Sequence, residues 1–201
     1  MTIPKNFRNT QETAIASYDY IDIAEGTGIV TFNLAVSAIA TPTYNYLLTK
    51  NTVYSDETHI RSTNTTTTFN FDLTPFNLPQ TLNGTAILSS AFWLQTVGGD
   101  KSVKVTLKKV SAATTSISSQ ITAYIPAAQG AKMALIELPI TTKTHFKKGD
   151  ILRCEVIIQS STDWIEMGTD PEGRDGNSLV PSTNPGITTS SKLFIPFDLD
   201  L

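Results

Sequence analysis

The sequence predicts an all-β fold, an antiparallel β-sandwich of jelly-roll or related Greek-key topology. Three observations predict it. Apolar and polar residues alternate with period two in one segment after another, turn residues punctuate those segments at short intervals, and no stretch of helical periodicity is long enough to serve as a spine. Composition agrees. Apolar residues make up 40% of the 201-residue chain and charged residues only 16%, and Thr, Ser and Asn stand where charge is missing. Hydroxyl side chains solvate the outer face of a strand without the self-repulsion of a charge row, and β-branched Thr suits the pleat.

Residues 1–13 are polar around Pro4 and read as an extended arm; residues 14–201 read as one domain. Residues 15–23 and 28–34 form a predicted hairpin around Ala24-Glu25-Gly26-Thr27. A weaker pair of short strands follows between Tyr44 and Tyr54. The threonine run 65–68 leads into Phe69-Asn70-Phe71-Asp72-Leu73, whose strict alternation makes the run the solvated start of a strand and not a low-complexity tract. Pro75 and Pro79 break the chain before a long apolar segment over 81–96.

Val97-Gly98-Gly99-Asp100-Lys101 is a turn, and 102–110 is the cleanest amphipathic strand, with Val103, Val105 and Leu107 facing inward and Lys104, Thr106 and Lys108 outward. Strands are assigned at 116–125 and 132–142, since Pro126, Gly130 and Pro139 leave too little room for a helix. Lys147-Lys148-Gly149-Asp150 turns the chain into the strand Ile151 to Ile158. Gly, Pro, Asp, Asn, Ser and Thr dominate 160–191, which reads as a long irregular loop. The closing strand, 193–201, carries Pro196, which suggests an edge position or a strand end. The tally is roughly nine or ten strands, with the first and last expected side by side.

Chemistry-bearing residues are few. A net charge of −3 provides no basic footprint for nucleic acid, and no run approaches the ~18 apolar residues of a membrane span. The N-terminus lacks the apolar core of a signal peptide, which predicts synthesis in the host cytoplasm without one. Cys154, the single cysteine, alternates with apolar residues and reads as a small buried hydrophobe. His59 and His145 stand in no zinc-binding pattern, and nucleophile-elbow, P-loop and dinucleotide motifs are missing, so no catalytic or cofactor residues are assigned and the chain is expected not to be an enzyme.

Polar groups concentrate at 167–178. Asp170, Glu172 and Asp175 offer oxygen ligands of the kind calcium takes, without EF-hand spacing; alternatively, Arg174 pairs with a neighbouring carboxylate and pins the loop. Asp163 and Glu166 flank Trp164, a pattern that suits either a glycosidase pair or a loop anchor. The two tryptophans and the tyrosines suit a sugar-binding face, a subunit interface or a core.

Four phrases together resemble virion structural proteins of tailed double-stranded DNA viruses, a group of capsid decoration and minor capsid proteins. They are Asn6-Phe7-Arg8 followed by Ala16-Ser17-Tyr18-Asp19-Tyr20-Ile21-Asp22-Ile23-Ala24-Glu25-Gly26-Thr27-Gly28; Thr144-His145-Phe146-Lys147-Lys148-Gly149-Asp150; Asp170-Pro171-Glu172-Gly173-Arg174-Asp175-Gly176; and Leu193-Phe194-Ile195-Pro196-Phe197. The resemblance implies a location on the capsid surface, with the major capsid protein or other virion proteins as partners and no catalytic residues to carry over. Together with the polar arm it leads to the expectation of a homo-oligomer, a trimer favoured, with Pro4, Phe7, Arg8, Trp164 and Arg174 as contact residues. The alternative is a receptor- or glycan-binding module of a viral head or tail fibre, using Trp164 and the loop 170–177.

Overall fold

The structure is a computed structural model that describes residues 27–40, 43–94, 101–123, 130–174 and 189–198. The N-terminal arm, the strand expected at 15–23 and the segment 175–188 lie outside the described residues. Eleven strands follow in order: β1 (Thr27–Ala40), β2 (Thr43–Thr49), β3 (His59–Thr63), β4 (Thr66–Leu73), β5 (Gln80–Leu94), β6 (Lys101–Val110), β7 (Thr114–Ala123), β8 (Gly130–Phe146), β9 (Ile151–Ser160), β10 (Trp164–Gly168) and β11 (Lys192–Asp198). Among the described residues there is no helix, and the fold is all-β and mostly antiparallel.

Hydrogen bonding links the strands in the order β3-β10-β5-β11-β1-β2-β4-β9-β6-β7, with β8 along the other side of β5. The single parallel step is short: only Leu47–Asp72 and Leu48–Leu73 pair between β2 and β4. It divides the path into a layer around β8, β5, β11 and β1 and a layer of β4, β9, β6 and β7. Period-two alternation fills the space between them. Phe71, Cys154 and Leu107 stand in one register row and Phe69, Val156 and Val105 in the next, all buried in the common core. On the outer side of the same strands Arg153 clamps Asp72 and Lys108 meets Glu155. Burial pushes the Cys154 thiol up to about 12 and keeps it inert, with the nearby Glu155 charge acting in the same sense.

The threonine run opens β4 as expected, and β11 lies beside β1, which contains the second strand of the expected N-terminal hairpin. Several details differ from the sequence reading. Between Tyr44 and Tyr54 there is one strand, not two, because residues 55–58 are drawn toward β1: Asp56 N–H bonds Val36 O and Val36 N–H bonds the Ser55 hydroxyl. Thr106 is buried, its hydroxyl 3.2 Å from that of Ser119 on β7. β10 forms inside the stretch 160–191, since β3 and β5 pair with it on both sides.

Pro196 is neither at an edge nor at a strand end. β11 runs between β1 and β5, and the missing N–H is absorbed where the β11–β5 register shifts between Phe194 and Phe197. Opposite it, Gly84 takes φ +103°, and a Cβ there would meet the proline ring.

Candidate functional site

β3 is the outermost strand of its edge, and it pairs with β10 so that Arg61 stands directly opposite Glu166. Ile60, Ile165 and Met167 point into the core, so Arg61, Glu166, His59 and Trp164 share the other face. Across β10, Glu166 also pairs with the buried Trp93 of β5. The Glu166 side chain is 0% exposed. Its Oε1 accepts from Arg61 Nε at 2.6 Å, contacts the Arg61 Nη2 as well, and lies 3.2 Å from His59 Nε2. Its Oε2 has no hydrogen-bond partner among the described residues. The Arg61 guanidinium in turn lies 4.8 Å from the centre of the Trp164 ring.

The second cluster begins where β10 ends. Gly168 passes so close to the Thr189 backbone that a Cβ would sit 2.3 Å from its carbonyl oxygen, and Thr169 and Asp170 hydrogen-bond Thr58 and Thr189. Asp170 is buried, and its carboxylate accepts from the backbone N–H groups of Glu172 and Arg174 and from Arg174 Nε and Nη2. Arg174 Nη2 also donates to Ser55 O, and its guanidinium lies 3.7 Å from the Tyr54 ring centre. The Asp170 hydrogen bonds raise the Arg174 pKa above its ordinary value, so this cation stays charged.

The pairing of Arg174 with a neighbouring carboxylate is present, and that carboxylate is Asp170. Both oxygens of Asp170 are engaged, Glu172 is exposed, and Asp175 lies outside the described residues. Among the described residues no group of three or more His, Cys, Asp or Glu is arranged to hold a metal ion, and no helix is long and apolar enough to cross a membrane. Pro4, Phe7 and Arg8 lie outside the described residues as well. Trp164 and Arg174 do fall on one edge of the fold, but each is engaged by a neighbour of opposite character, Arg61 and Tyr54 respectively.

The sequence reading missed Arg61, His59 and Trp93 as partners of Glu166. The one local signal is the alternation in His59-Ile60-Arg61, which puts two basic groups on a single strand face. Arg61 thus holds one oxygen of the buried Glu166 carboxylate, while the other accepts from none of the described residues. Thr58 Oγ1 lies 3.2 Å from His59 Nδ1, so hydroxyl, imidazole and carboxylate stand in sequence, although Arg61 shares the carboxylate oxygen that faces the ring.

No protein-family model and no curated protein matches the chain. Among solved structures it is similar to a CocE/NonD family hydrolase from Staphylococcus aureus, at a TM-score of 0.51 and 12% identity over 84% of this chain and 37% of that one. The infectious bursal disease virus VP2 subviral particle matches at a TM-score of 0.26 and 7% identity, over 83% of this chain and 42% of the other. TmCBM61 in complex with beta-1,4-galactotriose matches at 0.22 and 11%, over 72% and 79%. Neither of these two, with TM-scores below 0.5, supports a conclusion about this chain. The chain spans little more than a third of the hydrolase's length, and the likeness is one of fold.

That likeness corrects the expectation that the chain is not an enzyme. A β fold of this kind occurs within a hydrolase, so fold class and missing motifs are no ground for excluding catalysis. The physical reason is visible in this site: strand pairing brings together side chains more than a hundred positions apart, as with Arg61 and Glu166, and a scan for short motifs is blind to such sets.

Proposed function

We propose that the chain is a virion structural protein, a β-sandwich that assembles on the capsid surface as a decoration or minor capsid component. The observation that carries this reading is the outer face of β8, where the same-face neighbours Leu135 and Met133 are 73% and 57% exposed. Large apolar side chains grouped on one face of a rigid sandwich mark a surface that works covered by a partner. The ion pairs support the same reading, since Arg153–Asp72 and Lys108–Glu155 between strands and Lys109–Asp150 at the turn before β9 neutralise charge within the protein and leave a hydroxyl-rich exterior. The test is co-sedimentation with capsid shells that lack the protein, for the full chain and for a form without residues 1–13. Saturation at a symmetry-related copy number, lost with the arm, is expected; full chain that stays in the supernatant overturns the assignment.

A second reading has its own observation. Trp164 and the half-exposed guanidinium of Arg61 beside its ring form an aromatic and polar pair suited to a sugar ring and its hydroxyls. On this reading the chain is a glycan-binding module of a viral head or tail fibre. Glycan arrays probed with the wild type and Trp164→Ala decide it: binding lost in the variant supports it, and no binding by either protein removes it.

A further inference from the structure

Strand register orders the exposed face of the β8 layer into rows. Glu137, Ile87 and Phe194 stand side by side across β8, β5 and β11, and Leu135, Ser89 and Lys192 form the next row. Their neighbours Ile136 and Leu138 point into the core, so these six side chains share the outward face. Glu137 and Lys192 are both exposed, and among the described residues neither has a hydrogen-bond or ion-pair partner, in contrast to Arg61, Lys108, Lys109, Arg153 and Arg174. With about 4.8 Å between strands and about 6.8 Å between same-face neighbours, the two stand on the order of 12 Å apart on a diagonal, too far to pair within one molecule.

We propose that this face binds a second copy of the chain across a two-fold axis lying in the plane of the face, perpendicular to the Glu137–Lys192 diagonal and passing between Ile87 and Ser89. Such an axis exchanges the two ends of the diagonal. Glu137 of each copy then meets Lys192 of the other, Ile87 packs on the opposite Phe194, and Leu135 lies beside its own counterpart. The apolar centre and the paired charges at its ends are thus satisfied by one operation, as an isologous interface requires. The inference goes beyond the capsid reading and does not rest on it, because it concerns the isolated protein and is tested without particles.

The experiment is sedimentation equilibrium on the full chain and four variants. The wild type is expected to be a monomer–dimer system. Glu137→Lys and Lys192→Glu each set like charges face to face twice per dimer and should raise the dissociation constant about tenfold or more. The double variant Glu137→Lys/Lys192→Glu restores both pairs with reversed polarity and should return to near the wild-type constant. Leu135→Asp should abolish dimerisation with the melting temperature unchanged, since Leu135 is mostly exposed in the monomer. A wild type that stays monomeric or forms a trimer, single charge variants that dimerise normally, or a double variant no better than the singles would each overturn the proposal.

Discussion

Removing Arg61 should destabilise the fold by more than its own contacts are worth, because it strands Glu166. The carboxylate is 0% exposed, and Arg61 supplies the 2.6 Å hydrogen bond to Oε1 as well as a second guanidinium contact. Breaking a buried pair from one side costs roughly 3–5 kcal/mol, whereas an exposed pair is worth at most about 1 kcal/mol. The Arg61 side chain is 45% exposed, so solvent screens part of the interaction, and about 2–3 kcal/mol is expected for Arg61→Ala. At about 2–4 °C per kcal/mol for a chain of this size, the melting temperature falls by roughly 5–10 °C. Glu166→Gln should be milder, and Arg61→Ala/Glu166→Gln should recover at least half of the loss, since no buried charge is then left unpaired. Urea denaturation followed by circular dichroism gives all three values. An Arg61→Ala loss below about 0.5 kcal/mol, or a double variant in which the two losses simply add, would refute the view that the arginine acts through the buried carboxylate.

Other expectations concern the core, the loop and pH. Phe71→Ala, in the fully buried row with Cys154 and Leu107, should cost about 3–5 kcal/mol by chemical denaturation, and a loss under 1 kcal/mol would mean that the two layers do not pack as described. Gly168→Ala should cost about 3 kcal/mol, since the added methyl meets the Thr189 backbone and not a side chain that can swing away; an unchanged melting temperature would exclude that backbone crossing. The Cys154 thiol, pushed from 9.0 to about 12, ionises more readily in the unfolded chain. Stability is therefore complete below pH 9 and declines as pH rises from 9 toward 12, by up to about 1.4 kcal/mol per pH unit. Cys154→Ala should reduce that slope by one proton, and identical slopes in denaturation at pH 8, 9.5 and 10.5 would contradict it. Asp150, held below the ordinary carboxyl range by the Lys147 backbone N–H and by Lys109, contributes stability that is present above pH 3.8 and lost on acidification through its lowered pKa; Asp150→Asn should melt earlier than wild type at pH 6 and converge with it near pH 2.

Local pattern was enough for the strands whose one face meets the core and whose other face meets water. In β4, β6 and β9 the inward positions are decided by their own neighbours: two residues along the chain is one step on the same face, so Val103, Val105 and Leu107 declare their side without reference to any other strand, whereas the burial of Thr106 depends on Ser119 of β7. The buried character of Cys154 and the arginine clasp at Asp170 were legible for the same reason, since the first rests on alternation and the second on partners four residues apart. Where the partner is distant in sequence, alternation is silent. Nothing in residues 59–61 names residue 166, and nothing around Pro196 names Gly84, because hydrogen bonding between strands selects partners by global register and that register is settled by the whole core at once. The same holds for the outward row of Met133 and Leu135: along β8 they look like core residues, and only the layer's orientation, with Ile136 and Leu138 turned inward, leaves them facing out.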